Sequence, residues 1–322
     1  MNWITSFKKI RIKVKQIFKK QPVGQQDTDW QNCPQCKKIS YKPDLILNSY
    51  ICDCSFHFDL PPKLRLENLF DSAYEMIELT ENINPDPLNF EVKSELKSYK
   101  YIDKVKKYRK ITGQKTALMC ASGKISDLNA VVVCFNPKFG AGRFGPAENE
   151  HFLMAANYAI QKKVDIWIVI YQSSGIDVHT GLTGLSGMTK SIIAMDEIKK
   201  AKIPTFAIAA RAVAGGTYAS SFFQHDFIII ESKSVENILF SGKRVTANIL
   251  KGTDQIPDDF GTGPGIIKAG LADMTLESRK KLKETVSILA NIILKKEKSE
   301  NKNLEESHEN QKDFKKIAST TS

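Results

Sequence analysis

The sequence is short of several features that mark common classes of protein. It has no apolar run of transmembrane length and no recognisable signal peptide, so we expect neither a membrane-spanning nor a secreted chain. Only six cysteines occur among 322 residues, and we expect free thiols in a reducing cytoplasm, or an equivalent organelle interior, rather than disulfides. No internal repeat and no GxxxxGK[ST] loop is present, which leaves no sequence argument for a P-loop nucleotide site.

The sequence also lacks the side-chain spacing of a catalytic triad and the full pattern of a dinucleotide-binding loop. None of the five histidines has an acid and a nucleophile at triad-like spacing. Gly140, Gly142 and Gly145 fit the spacing of a dinucleotide-binding fingerprint, but Pro146 opens the next helix. The acidic residue at the expected distance, Asp165, precedes a predicted strand instead of ending one, so we reject dinucleotide binding.

Four cysteines near the start of the chain have the spacing of metal ligands. Cys33 and Cys36 form a C-x2-C pair, and fifteen residues later Cys52 and Cys54 form a tighter C-x-C pair. Two such pairs on opposed loops supply the four thiolates that a structural Zn²⁺ prefers. His57 is an alternative fourth ligand that would leave Cys52 spare. The sequence predicts a zinc ribbon, with four cysteines favoured over three cysteines and His57.

The net charge of +11 is unevenly distributed. Residues 1–20 carry seven basic side chains and no acid, and their apolar residues repeat at helical spacing. This basic amphipathic helix fits binding to a membrane surface or to nucleic acid. We favour docking of its short apolar stripe on the protein's own body or on a partner subunit.

The composition divides the chain into four regions. Residues 1–31 are the basic helix and a polar linker, and residues 32–58 are the zinc ribbon. Residues 59–297 read as one domain, and the charged, apolar-poor residues 298–322 are expected to be disordered and dispensable for activity. From residue 113 onward, short β-branched runs alternate with helical segments, which predicts an α/β domain. The runs are 117–121, 130–135, 166–171, 205–210 and 227–230, and the helical segments lie near 146–162, 181–201, 217–224 and 275–296.

Glycine-rich turns follow three of the predicted strands. They contain Gly140, Gly142 and Gly145 after the second strand, Gly175 after the third, and the Gly215-Gly216 pair after the fourth. Backbone N–H groups at such turns can hold an oxyanion, which a thioester needs as it becomes an enolate. The alternative is that these glycines only permit tight turns and close helix packing.

The order of these parts resembles the β subunit of bacterial and plastid acetyl-coenzyme A carboxylase carboxyltransferase. The likeness extends over the whole chain before the tail and depends on the order and spacing of many short pieces. Those pieces are Met1-Asn-Trp-Ile4, the cysteine pairs, Cys54-Ser-Phe-His57-Phe58, Asp86-Pro-Leu-Asn-Phe90, Tyr101-Ile-Asp103, Thr112-Gly113, Gly215-Gly216, Ala219-Ser220, Gly242, Arg244-Val245 and Gly270-Leu-Ala-Asp273.

The resemblance implies a crotonase-like ββα spiral core with an N-terminal zinc ribbon. It implies transfer of a carboxyl group from carboxybiotin on a carrier protein to acetyl-CoA, giving malonyl-CoA for fatty acid synthesis. It also implies an α2β2 assembly with α subunits, working with a biotin carboxyl carrier protein and a biotin carboxylase. Catalysis then depends on Gly215, Gly216 and Gly175, and substrate binding on Gly142, Arg143, Gly145 and Ser174.

The sequence departs from the family in three segments. A family Gln-Arg-Ser-Glu stretch is replaced around Gly261-Thr-Gly-Pro264, and the other two departures are in turns. The family's Ser-Gly-Gly-Ala-Arg reads Ser173-Ser-Gly-Ile-Asp177, and its Phe-Met-Gly-Gly-Ser-Met-Gly reads Phe139-Gly-Ala-Gly-Arg-Phe-Gly145. Ser174 would be strained by about 1 kcal/mol if its position needs positive φ. Because Asp177 already stands where the family has Arg, we expect Asp177→Ala to leave the rate largely intact. Two alternatives stay open, a subunit acting on another acyl-CoA (a decarboxylase) and a catalytically weakened binding subunit.

Overall fold

The computed structural model describes residues 29–93, 98–250 and 256–295. The expectations for the basic helix at 1–20 and for the tail at 298–322 lie outside these residues. The chain forms two compact units, with the division between Phe58 and Asp59. No helix in the described ranges is both long enough and apolar enough to cross a membrane.

The first unit is built on a short hairpin. Strands β1 (Trp30–Asn32) and β2 (Ile39–Tyr41) pair antiparallel, with Trp30 opposite Tyr41, and helix α1 (Lys42–Leu47) follows directly. Its small core consists of two cysteines and two apolar side chains, Cys33, Leu45, Cys52 and Phe58. A core this small cannot by itself offset the entropy of ordering the unit, so we expect a metal to stabilise it.

The second unit is built on a mixed sheet, and the described residues place eight strands in it. Their spatial order is β14-β12-β11-β9-β7-β6-β3, with β13 pairing to β11 beyond that path. The strands from β7 to β14 pair parallel along that path, whereas β6 pairs antiparallel with β7 and β3 antiparallel with β6. The bounds are β3 (Glu75–Met76), β6 (Leu118–Ile125), β7 (Leu128–Phe135), β9 (Ile166–Ser173), β11 (Thr205–Ala214), β12 (Phe227–Ile230), β13 (Ile238–Leu239) and β14 (Met274–Thr275).

Two further ribbons lie outside this sheet. Strands β4 (Glu91–Lys93) and β5 (Ser98–Lys100) pair antiparallel, and β8 (Arg143–Phe144) pairs parallel with β10 (Gly175–Ile176). The connecting helices are α2 (Pro62–Leu69), α3 (Tyr101–Thr112), α4 (Pro146–Lys162), α5 (Gly181–Lys200), α6 (Gly215–Tyr218), α7 (Lys243–Leu250), α8 (Gly263–Lys268) and α9 over 282–295. Short 3₁₀ turns cover Val178–Thr180, Ser221–Gln224 and Arg279–Lys281.

The central strands are buried on both faces of the sheet, as the continuous apolar runs predict. In β9, alternate residues including Trp167 join the core cluster that contains α4 and α5 residues, and the residues between them, such as Ile168, join the opposite cluster. The opposite cluster also contains residues of α2 and α9. The result is a mixed, mostly parallel sheet with helices on both sides, the architecture expected of strand–helix alternation.

Two helix predictions need correction. The segment predicted as one helix over 217–224 is the single turn α6 followed by a 3₁₀ turn. The final helix begins at residue 282 rather than near 275, because Met274 and Thr275 pair with β12 and the chain must first leave the sheet. The predicted helices at 146–162 and 181–201 match α4 and α5 closely.

A buried cluster of charges joins three distant parts of this unit. Glu231, directly after β12, is fully buried and receives bonds from Arg65 of α2 and Arg279 ahead of α9, at 3.2 and 3.0 Å to Oε2. Burial lowers the pKa of Arg279 to about 10, so the guanidinium stays charged at neutral pH. One carboxylate therefore compensates two buried guanidinium groups.

We expect Glu231→Gln to lower the free energy of unfolding by about 3–5 kcal/mol, because it leaves two buried cations without their shared anion. A urea titration followed by circular dichroism measures the change. The control is Glu277→Gln, since Glu277 is an exposed i,i+4 partner of Lys281 and its loss should cost under about 1 kcal/mol. Equal effects from the two variants would contradict this assignment.

Candidate active site and metal centre

The three glycine-containing turns meet at one edge of the sheet. They follow β7, β9 and β11, which are adjacent and parallel, so their carboxyl ends point the same way. This edge is where ligands bind in open α/β sheets. All seven residues predicted for catalysis or substrate binding lie on these turns, and the structure brings the turns into contact. They are Gly142, Arg143, Gly145, Ser174, Gly175, Gly215 and Gly216.

The first and second turns interlock through their backbones. A Cβ on Gly142 would lie 1.9 Å from the carbonyl oxygen of Gln172, so only glycine fits there. The Ser174 amide donates to the carbonyl oxygen of Ala141 at 2.9 Å, and the Ser173 hydroxyl donates to that of Gly142 at 2.6 Å. Gly142 therefore allows the first turn to pack closely against the second.

The second and third turns approach each other equally closely. A Cβ on Gly175, which has φ +104°, would lie 2.6 Å from the carbonyl oxygen of Ala214 and 3.2 Å from the amide nitrogen of Gly216. A Cβ on Gly215 would instead meet nothing nearer than 3.7 Å, and its neighbours there are the Gly175 Cα and the Ser174 carbonyl oxygen. A small gap therefore separates the two turns, with Gly215 on one side.

Most amides of these turns already have partners. Gly142 donates to the Phe139 carbonyl, Gly145 to Glu148 Oε2, and Gly175 to the Ser173 hydroxyl at 3.1 Å. Within the described residues, no bond from the Gly215 or Gly216 amide to a side chain, loop or turn is found outside the helix and strand ladders. The bond to Ser173 gives Gly175 a packing role, and the predicted role of Gly215 and Gly216 in binding an oxyanion stays a prediction.

Two expectations about strain are revised by the backbone. Ser174 is not among the residues with positive φ, so the strain anticipated there does not arise. Ala141 has φ +58°, which a glycine would adopt more easily. The glycine missing from the first turn therefore costs about 1 kcal/mol at Ala141 rather than at Ser174.

Arg143 is the centre of a buried polar network. Its guanidinium pairs with Asp177 and with Glu148 (3.3 Å), and it also contacts the hydroxyl of Tyr101. Arg143 is 5% exposed and Glu148 is fully buried. Burial raises the pKa of Tyr101, which therefore stays a neutral hydroxyl that donates to Asp177. In this conformation the charge of Arg143 is compensated within the protein, and its predicted contact with substrate stays a prediction.

The network does not support the expectation that Asp177→Ala leaves the rate largely intact. Asp177 is 5% exposed, and its Oδ1 accepts from the backbone and ring nitrogens of His179 at 3.2 and 2.9 Å. Removing it would leave the buried Arg143 and Tyr101 donors with fewer partners. Arg143 and Asp177 both depart from the family pattern, and the structure pairs them with each other. Comparison of the sequence with the family pattern does not reveal this pairing.

A basic cavity opens beside the turns and was missed by the sequence reasoning. Its volume is about 340 Å³, and Ala141, Gln172 and Ser174 form part of its wall together with Lys138 and Arg211. Arg211 pairs with Asp59, whereas Lys138 adds positive charge next to the first turn. Lys138 directly follows Asn136-Pro137 at the end of β7, a position that could have identified it. The cavity suits an anionic ligand.

The four cysteines of the first unit converge as predicted. One sulfur atom from each of Cys33, Cys36, Cys52 and Cys54 lies within 4.8 Å of the others. This is a compact donor set compatible with tetrahedral zinc. His57 is buried and pairs in a bridge with Ile51, and it is not part of the cluster. The arrangement favours the four-cysteine alternative.

Comparison with known proteins places this site in a class. Residues 94–321 match the carboxyl transferase domain family. The structure is similar to the transcarboxylase 12S crystal structure, with TM-score 0.56 and 17% identity over 72% of this chain and 41% of that one. It is also similar to a Pseudomonas malonate decarboxylase hetero-tetramer in complex with malonate, with TM-score 0.54 and 14% identity over 73% of this chain and 82% of that one. The fold is that of the crotonase-like carboxyltransferases.

Closer relatives narrow the class. The chain is 30% identical to the acetyl-coenzyme A carboxylase carboxyl transferase subunit beta of Pelagibacter ubique (strain HTCC1062), over 99% of this chain and 100% of that one. It is 31% identical to the subunit of the same name from Sulfurihydrogenibium sp. (strain YO3AOP1), over 86% and 95%. The chain belongs to the family of acetyl-coenzyme A carboxylase carboxyl transferase β subunits.

For the metal centre, we expect Cys33→Ser and Cys52→Ser to lose zinc and most soluble protein, because each removes one of four converging thiolates. Metal analysis of the purified variants measures this. His57→Ala and Cys120→Ala, a buried cysteine of β6, should keep one zinc per chain. Full metal content in Cys52→Ser together with metal loss in His57→Ala would make His57 the fourth ligand.

For the buried network, we expect Arg143→Ser alone to cost about 3–5 kcal/mol in unfolding free energy, because it leaves two buried carboxylates close together. The double variant Arg143→Ser with Asp177→Arg should recover most of that loss, because the new guanidinium lies near Glu148. Urea titrations of the two variants test this. Additive losses would show that the two positions are independent. Lys268→Ser, which removes an exposed ion pair, is the control and should cost under about 1 kcal/mol.

Proposed function

We propose that this chain is the β component of an acetyl-CoA carboxylase carboxyltransferase. In this reaction the carboxyl group of carboxybiotin, held on a carrier protein, is transferred to the methyl carbon of acetyl-CoA to give malonyl-CoA. The observation that carries the proposal is the near full-length match to β subunits together with the Gly215-Gly216 turn at the ligand-binding edge.

Gly215 and Gly216 are the proposed oxyanion-binding residues. Their amides lie where β11 runs into α6, and the gap between Gly215 and the Gly175 turn leaves space for a thioester oxygen. Charge on that oxygen increases as the acetyl methyl group loses its proton, so fixed amide donors stabilise the enolate more than the ground state. A catalytic His or Asp is not needed for this role.

The substrate-binding proposal involves both side chains and packing. Ser174 lines the same cavity as Lys138, whose positive charge favours the phosphates of coenzyme A, whereas Arg211 is paired there with Asp59. Gly142 and Gly145 support this wall because their close contacts, with Gln172 and Glu148, fix the turn. Arg143 contributes by holding Asp177 and Glu148 behind the same turn.

The partners and the location are part of the proposal. We propose an α2β2 assembly with carboxyltransferase α subunits, which supply the rest of the site, and delivery of carboxybiotin by a biotin carboxyl carrier protein charged by biotin carboxylase. Zn²⁺ has a structural role on the four cysteines. We further propose a cytoplasmic or stromal location, since the thiolates of the cluster need a reducing compartment.

The test is formation of malonyl-CoA from acetyl-CoA by the full chain, its α subunit and carboxylated carrier. Product that appears only when all three are present supports the proposal. Release of CO₂ from malonyl-CoA without formation of malonyl-CoA would instead support a decarboxylase. Assembly with the α subunit but no turnover in either direction would support a binding subunit.

Within this assay, we expect Gly215→Ala to lower kcat by about 10²–10³, because the new methyl group enters the gap between the turns and displaces the oxyanion. The control is Gly113→Ala, since Gly113 also has positive φ (+69° against +58°) and open space around its Cβ. Both variants carry the same backbone strain, so only Gly215→Ala should lose activity. Equal kcat in the two variants would place the oxyanion elsewhere.

Gly216→Val, the substitution that the sequence alone would suggest as a test of the turn, is less informative than Gly215→Ala. A Cβ on Gly216 would lie 2.1 Å from Cγ1 of Ile176 and 3.1 Å from the sulfur of Met188. A valine there must displace packed side chains of β10 and α5, so loss of activity would not separate catalysis from folding.

A further inference from the structure

A second cavity lies near the Gly215 turn, and the residues that line it differ from those of the basic cavity. Its volume is about 620 Å³, within the range of small-molecule sites. Its lining is mostly apolar and includes Ile238, Leu239, Phe240, Ile249, Ile266 and Leu271. An acetyl group alone would leave most of a cavity of this size empty.

Four polar side chains in the lining are paired with each other. The Ser241 and Thr246 hydroxyls are 3.1 Å apart, and Lys268 Nζ is 3.5 Å from Asp259 Oδ2 at the rim. Apart from the Tyr218 hydroxyl, the rest of the lining is mostly apolar. What the cavity mainly offers an occupant is removal of apolar surface from water.

The cavity is continuous with the proposed oxyanion turn. Leu239 of β13 pairs with Ala214, the residue before Gly215, and Tyr218 of α6 is part of the lining. The carbonyl oxygen of Phe240 lies 4.0 Å from the position that a Cβ on Gly215 would occupy. An acyl group whose thioester oxygen is held at Gly215 therefore lies within reach of this cavity.

We propose that this cavity binds the apolar acyl group of acyl-CoA thioesters longer than acetyl, so that the protein also accepts such thioesters as substrates. The proposal rests on the proposed function, because the thioester must be held at Gly215. The bond between the ureido nitrogen of carboxybiotin and its carboxyl carbon breaks, and that carbon bonds to the α-carbon of the thioester. The α-proton passes to the ureido nitrogen.

The experiment measures affinity against chain length in the complete complex with the α subunit. Equilibrium binding and KM are determined for acetyl-, butyryl-, hexanoyl- and octanoyl-CoA. Affinity should rise by roughly fourfold for each methylene that enters the cavity, the value expected for full burial of a CH₂ group. The rise should level off once the chain reaches the end of the cavity.

Ala269→Phe is the variant that tests the location. Ala269 is an exposed residue of the lining at the end of α8, so a phenylalanine can fill the cavity without disturbing the core. It should abolish the dependence of affinity on chain length. Ala201→Phe is the matched control, because Ala201 is exposed and ends α5 with nearly the same backbone angles (φ −75°, ψ 1° against −77°, −2°). This control should keep the dependence.

The outcomes separate the two proposals. If acetyl-CoA is carboxylated but affinity does not change with chain length, the cavity proposal is overturned and the proposed function stands. Persistence of the dependence in Ala269→Phe would also overturn it. If the isolated chain shows the dependence but the complex does not, the cavity is a subunit interface. If no thioester is carboxylated but affinity still rises with chain length, the proposed function is overturned and the assignment of the cavity as an acyl-binding site stands.

Discussion

The turns at the ligand-binding edge depend on the close packing of Gly142 against the carbonyl oxygen of Gln172. This contact brings the turn after β7 onto the end of β9, and Gly175 repeats the arrangement against Ala214 at the end of β11. Three loops that would otherwise move independently become one rigid edge. Fixed amides need such rigidity, because a donor that must reorganise during the reaction stabilises the transition state less.

Buried charges support this edge from two directions. Beneath it, Arg65 bonds to Glu231 and reaches Gln172 at 3.4 Å, while the Gln172 amide donates to the Phe135 carbonyl at 3.0 Å. Beside it, Arg143 connects the first turn to Asp177 after the second. Such groups are costly to bury, and their geometry must be satisfied as a set. They restrict the positions that the turns can adopt, which apolar contacts alone would do less specifically.

The sequence was informative wherever a repeating pattern or a fixed spacing decided the structure. β-Branched runs predicted β7, β9, β11 and β12, and the two cysteine pairs predicted the metal cluster. Single side chains in turns were harder. The strain expected at Ser174 falls on Ala141, and the amide of Gly175 is already bonded to Ser173, because both depend on backbone angles that neighbouring turns impose. A tertiary contact, the pairing of Met274 and Thr275 with β12, also explains why α9 begins late, whereas Lys138 could have been identified from its place after β7.

The pairing of Arg143 with Asp177 bears on how this chain diverged and on how it can be engineered. Because the pair is buried, a change of one residue alone should be unfavourable, so we expect the effects of the two positions on stability to be epistatic. A consensus design that restores family residues one position at a time would break the pair. Column-by-column scoring of an alignment would count two losses at this site, whereas the molecule contains a single compensated exchange.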